Sequence, residues 1–132
     1  MKYLDLAQAL VIAETVTGVD GIVLTKVAGP ALLDSVDLAL RAPQAASAGR
    51  DSYPRFADKA AVLTVQIARN HPLPAGNKQL AWGCLAMFCA LNGHYLRVPA
   101  EDAVNEMLGV AAGDIDELAL ADWLSKRLDR LS

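Results

Sequence analysis

The sequence predicts an all-α fold: a compact bundle of five or six helices packed around one central apolar helix, with a short flap. Three observations carry this prediction. Residues 80–91, LAWGCLAMFCAL, contain no charged side chain, so a helix there is apolar on every side and calls for neighbours all round. Several other segments repeat apolar residues at helical spacing, divided by Gly and Pro where helices stop. Apolar residues make up 54% of the 132 but aromatics only 5%, so Leu, Ala and Val must fill the core.

Taken in order, Asp5 has the position of an N-cap, and Leu6, Leu10, Ala13 and Val16 continue a first amphipathic helix that Gly18 ends. Residues 18–29 read as a connection, with the apolar run 22–24 fitting a strand or a turn equally well. Pro30 suits a first helical turn, and Ala31, Leu32, Leu33, Val36, Leu38, Ala39 and Leu40 make a second helix that stops at Pro43. Residues 44–54, QAASAGRDSYP, are irregular and read as a surface flap. A third helix over 55–69 carries Phe56, Ala60, Leu63 and Ile67 as its stripe, with Asp58 in the first turn. It leads into a stiff loop and then into the apolar helix at 77–92, where Trp82, Met87 and Phe88 are core. Gly93 follows that helix, residues 94–98 form an extended connector, and Pro99 opens a helix with Glu101 and Asp102 in its first turn, ending near Gly113. Asp114 with Glu117 resembles a capping box, after which Leu118, Ala121, Leu124 and Leu128 line a last helix with Lys126, Arg127 and Arg130 at its end and Trp123 in packing.

The totals exclude several classes of function. One domain spanning 1–132 is expected from the length. A net charge of −3, with 15 acidic and 12 basic residues spread along the chain, leaves no basic stripe for direct nucleic-acid binding. The longest apolar run is 12 residues, against about 20 needed to span a bilayer. The N-terminus has no signal-peptide pattern, so no membrane role and a cytoplasmic location are expected. Cys84 and Cys89, five apart on one helix, point to different sides and read as core thiols.

The chemistry concentrates at residues 71–79, HPLPAGNKQ. A helix N-terminus offers N–H groups without intrahelical partners and a positive dipole end, both suited to an anion such as phosphate. Gly76 permits close backbone approach, and Asn77 can cap the helix. Lys78 stands in the first turn, where the dipole disfavours a cation unless an anion is near. His71, in a loop stiffened by Pro72 and Pro74, is a base of the type that works at neutral pH. Together these residues read as an anion cradle facing a candidate general base, although a lone loop histidine and a Gly-Asn turn are each common in ordinary loops. No Walker pattern, dinucleotide fingerprint, metal-ligand spacing or Ser-His-Asp arrangement accompanies them.

This loop resembles the HPFx(D/E)GNKR motif of the Fic/Doc superfamily, in its Doc (death-on-curing) toxin form. The segments LLDSVDLALRAPQAA, YPRFADKAAVL, ARNHP, FCALNGHYL and ELALADWLSKRL are similar to the family in the same order, so the likeness covers nearly the whole chain. The resemblance implies that His71 accepts the hydroxyl proton of a target side chain and that Gly76 and Asn77 form the nucleotide's anion hole. It implies that Lys78, which stands where AMP-transferring Fic enzymes have a second glycine, directs transfer of the terminal phosphate of ATP. Elongation factor Tu, modified at a threonine with a block of translation, is the implied target, and a Phd-type antitoxin the implied partner. The flap residues Ala48, Gly49, Arg50, Asp51, Ser52 and Tyr53 would align the target segment by strand-like pairing. None of the four glutamates is followed by Gly or Asn, so the internal inhibitory motif of some Fic proteins is missing and a separate inhibitor is expected.

Two positions depart from the motif. Ala75 replaces the acid that holds magnesium, and Gln79 replaces the arginine that contacts the phosphates; Leu73 for phenylalanine is milder. ATP and Mg2+ are the cofactors the family implies, but no metal ligand is expected at Ala75, and Gln79 is left as the phosphate-side residue. Phosphoryl transfer depends on positioning and electrostatics, so the chain is expected to be an attenuated or inactive Doc-type kinase, either detoxified or naturally degenerate. The alternatives are a non-catalytic module that binds antitoxin or nucleotide, and an AMP-transferring Fic enzyme.

Overall fold

The computed structural model describes residues 1–130, apart from the side chains at positions 27, 28, 31 and 32; Ala31 and Leu32 of the expected second-helix stripe therefore lie outside the described residues. The fold is all-α, as predicted, with only short strands beside the helices. The helices are α1 (Leu6–Thr17), α2 (Gly21–Arg41), α3 (Phe56–Asn70), α4 (Asn77–Leu91), α5 (Ala100–Ala112) and α6 (Glu117–Ser125), and a 3-10 turn, Ala42–Gln44, follows α2. Four short strands, β1 (Ala46–Ser47), β2 (Arg50–Asp51), β3 (His94–Leu96) and β4 (Leu128–Arg130), form two separate antiparallel pairs.

Helix α1 starts on a complete capping box. The Gln8 N–H donates to Asp5 Oδ1 at 2.8 Å, and the Asp5 N–H donates to Gln8 Oε1 at 3.0 Å. It ends at Gly18, whose φ of 71° is the left-handed cap geometry. Asp5→Ala removes the side-chain half of that box and is expected to cost about 1 kcal/mol, a fall of about 3–5 °C in Tm by thermal melting.

Residues 21–28 are helical, not the strand or turn left open by the sequence. Asp20 caps them, accepting from the Ile22 N–H at 2.9 Å. The break falls at Gly29 (φ 70°, ψ −168°), directly before Pro30. Proline disfavours the α region for the residue preceding it, so the helix must interrupt there and can restart on the proline.

The flap is a two-residue hairpin, where the sequence suggested only irregular chain. Ala46 pairs with Asp51 and Ser47 with Arg50. Ala48 and Gly49 between them both have positive φ, 52° and 76°, the geometry that lets two residues turn a right-twisted hairpin.

The centre of the bundle is α3, and this corrects the expected centre. Ten of its fifteen residues are buried, including Ala57, Ala60, Ala61 and Ala68, and it packs against α2, α4, α5 and α6. Small side chains let those helix axes come close on several sides at once. Helix α4 also contributes to the core through Leu80, Ala81, Cys84, Leu85, Phe88 and Cys89. Its Ala86, Met87 and Ala90 face solvent, with Met87 37% exposed, so Met87 is not core. Alanine exposes so little apolar area that a run lacking polar residues does not by itself demand burial.

The C-terminal part shifts by a few residues from expectation. Asp116, not Asp114, caps α6, accepting from the Ala119 N–H at 2.8 Å. The Asp114 N–H instead donates to the Gly109 carbonyl at 2.9 Å in the C-terminal turn of α5, beyond Gly113. The last helix stops at Ser125, and Leu128 belongs to β4, opposite Leu96 of β3. The Arg127 guanidinium lies 4.4 Å from the Trp123 ring and donates to the Trp123 carbonyl at 3.0 Å, closing the helix end. Leu118, assigned to the apolar stripe, is 79% exposed; the buried face of α6 runs through Leu120, Ala121 and Leu124.

Candidate active site

Two helix ends and the loop between them build the site. Helix α3 ends on His71, whose φ of 48° and ψ of 57° are left-handed. That conformation is uncommon for a residue with a Cβ, though histidine enters it more readily than most. It breaks the helical path and leaves the imidazole exposed. Pro72 and Leu73 are buried, Leu73 anchoring the loop in the core where the family motif has phenylalanine. Pro74 and Ala75 are exposed.

Gly76 then caps α4 with φ 85° and with no side-chain hydrogen bond to the helix start. A Cβ at Gly76 would meet Thr17 Cγ2 at an ordinary 3.5 Å, so backbone conformation, more than space, demands glycine here. Asn77 is the first residue of the helix and not its cap. Its Oδ1 accepts from the Leu73 N–H and its Nδ2 donates to the Leu73 carbonyl, both at 2.8 Å. That two-way clasp closes the loop on itself and consumes the side chain that the sequence offered as a cap. The first-turn N–H groups of α4 thus remain outside any side-chain cap, and Lys78 lies exposed beside them. This is the geometry that attracts an anion.

Lys78 and Gln79 also line a cleft of about 650 Å³ with Val16 of α1, Trp82 and Gly83 of α4, and Met107 of α5. Its walls are mainly apolar, with the two polar side chains on the α4 wall. Trp82 is a cleft wall and not simply core. The signal was in the sequence: Trp82 follows Gln79 by three and Lys78 by four residues, the spacing of neighbours on one helix face. His71 and the hairpin lie outside the lining of this cleft.

Among the flap residues, Ala48, Gly49, Arg50, Asp51 and Ser52 are exposed and Tyr53 is half-buried. The Ser52 N–H donates to the Ala45 carbonyl at 2.9 Å, and the Tyr53 N–H to Asp51 Oδ1 at 2.9 Å. Asp51 also binds Lys59 of α3, and that hydrogen bond, with the one from Tyr53, holds its carboxyl below the usual aspartate range. Asp58 pairs with Arg55 at 2.9 and 3.0 Å, which likewise lowers its pKa. The two acids nearest the loop in sequence are therefore engaged by cations. Among the described residues no three His, Cys, Asp or Glu side chains gather into a metal-binding group. With Ala75 offering no donor atom, the residues present do not fit a resident divalent ion. The uncapped helix start and Lys78 do fit a phosphate group. Lys59 is the residue that sequence reading missed; a lysine on the apolar stripe, three residues after Phe56 and four before Leu63, was the available signal.

Cys84 and Cys89 are free and buried, and burial pushes both thiols up to about 12. Thiol reagents at pH 8 are expected to label neither in the native chain within hours and both on unfolding in guanidinium, read by mass spectrometry. His94 stacks on Phe56 with ring centroids 4.4 Å apart, and Trp123 packs under Arg127; both are structural in this fold.

A helical bundle that delivers a histidine from one helix end to the glycine-opened start of the next is the Fic/Doc architecture. A model of the Fic/DOC family matches residues 3–89, which hold α1 to α3, the hairpin, the whole loop and α4 as far as Cys89, and the chain belongs to that family. Within it the chain is similar to Toxin Doc of Mycolicibacterium smegmatis (strain ATCC 700084 / mc(2)155), at 42% identity over 95 residues, covering 68% of this chain and 71% of that protein. No described helix is long and apolar enough to cross a membrane.

Proposed function

We propose that this chain is a Doc-type toxin of a toxin–antitoxin pair whose site handles the triphosphate of ATP, and that its phosphoryl-transfer activity is attenuated. The observation that carries the reading is the start of α4: a left-handed Gly76, no side-chain cap, and exposed Lys78 in the first turn. Phosphate oxygens accept from the first-turn N–H groups, and Lys78 supplies the charge that its position otherwise makes unfavourable. His71 accepts the proton of the attacking hydroxyl, for which its exposure at the end of α3 suits it. The hairpin from Ala46 to Asp51 presents free strand edges that pair with an extended target segment. Similarity to a protein named Toxin Doc supports a toxin role. A Phd-type antitoxin as partner and a threonine of elongation factor Tu as target complete the proposal and rest on the resemblance of the HPLPAGNKQ loop to the Doc motif.

Attenuation follows from Ala75 and Gln79. A divalent ion would supply charge neutralisation to the phosphates, and this chain has no carboxylate at Ala75 to hold one. A second reading, a module that binds nucleotide or antitoxin without turnover, is favoured by the same pairing of Asp51 and Asp58 with cations. The two readings separate when Ala75→Asp and Gln79→Arg are introduced together and transfer from γ- and α-labelled ATP to elongation factor Tu is followed. Transfer of the γ label supports the kinase reading. Transfer of the α label assigns AMP addition and removes the role given to Lys78, and no transfer of either leaves the binding module.

A further inference from the structure

We infer that Lys59 is a positioning residue that sets the hairpin flap against α3, and through it the register offered to a protein target. The inference deepens the flap reading above and rests on it. Lys59 lies on the buried face of α3 and is only 4% exposed. An ammonium taken out of water demands acceptors. It has two: the Pro43 carbonyl at 3.1 Å and the Asp51 carboxylate. Pro43 sits in the turn just before the hairpin, and Asp51 is the last residue of β2. One buried cation therefore grips both ends of the segment 43–51. Pro43 is also buried against the bundle, so packing holds that end as well; at the hairpin, among the described residues, Lys59 makes the one side-chain hydrogen bond from the body of the bundle to residues 46–51. Ala46, Ser47, Arg50 and Asp51 are all exposed, so no apolar side chain of either strand holds the hairpin down. The bonds from Ser52 to Ala45 and from Tyr53 to Asp51 tie the flap to itself, not to the core. Asp51 pairs across the hairpin with Ala46, so fixing Asp51 fixes which backbone groups of β1 and β2 face outward.

The test uses the full chain and amide hydrogen exchange, which does not depend on activity. In Lys59→Met, the amides of Ser52 and Tyr53 are expected to exchange at least about tenfold faster relative to the amides of residues 62–68 in α3. Asp51→Asn leaves the residues of α3 unchanged and is expected to give the same release relative to α3, with some fall in Tm because the buried ammonium loses its charged partner; it covers the case in which Lys59→Met fails to fold. Flap amides that exchange no faster in Asp51→Asn, or a flap and α3 that accelerate in proportion, would overturn the inference. In the Ala75→Asp, Gln79→Arg background, Lys59→Met is expected to raise KM for the protein target about tenfold while KM for ATP stays level. A loosened flap with both constants unchanged also overturns it. If that background transfers no label, the kinase reading fails by itself, and the exchange comparison still decides whether Lys59 sets the flap.

Discussion

Introducing Ala75→Asp and Gln79→Arg together is expected to raise γ-phosphate transfer at least about a hundredfold over the chain as it stands, because a single positioned charge-stabilising group is commonly worth about 10² to 10³ in rate. Phosphoryl transfer asks little covalent chemistry of a protein, so added charge at the right positions shows directly as rate. Both positions are exposed, and neither replacement buries a charge. Their effect on stability should stay within about 0.5 kcal/mol, checked by thermal melting of the same samples. His71→Ala in the restored background is then expected to lower transfer by about 10² to 10⁴, the usual contribution of a general base. Equal rates with and without His71 would show that the imidazole takes no part, whatever the label that moves.

Phe88→Ala is expected to cost about 3–5 kcal/mol and to lower Tm by about 10–20 °C. Phe88 is fully buried on α4, stacked 5.0 Å from Phe56 of α3 and 6.0 Å from Tyr3 before α1. Its removal leaves a cavity shared by three segments that cannot all collapse into it. Met87→Ala, one residue away, should cost under about 1 kcal/mol because its side chain is already partly in water. Denaturant unfolding of the pair tests the two-faced description of α4. Similar losses for both variants would restore the all-round burial suggested by its composition.

Much of the fold is written in local chemistry. Asp5 and Gln8 close a capping box, Gly18 ends a helix, Pro43 and Gly113 fall where helices stop, and each of these is decided by a few neighbouring residues. Three of the errors share one cause: competition between adjacent signals of equal local merit. Asp114 and Asp116 are both plausible caps, and the choice went to Asp116 because the Asp114 N–H is taken by the Gly109 carbonyl. Asn77 could cap α4 or clasp Leu73, and the clasp prevails with Leu73 held in the core. Leu128 continues the helical spacing of α6 but pairs in β4, since β3 lies ready beside it.

The loop itself divides in the same way. Its family and the order of its chemical residues were legible in HPLPAGNKQ, because a histidine, a glycine before a helix and a misplaced lysine are local facts. The missing acid at Ala75 was equally plain. Only tertiary structure decided that α3, not α4, is the centre, because alanine carries no mark of which neighbour it will meet. Only tertiary structure made Trp82 a cleft wall and brought Lys59 between Pro43 and Asp51. Helix starts and stops are settled within a few residues by hydrogen-bonding and backbone sterics, whereas which side chains face one another across the bundle depends on how whole helices pack.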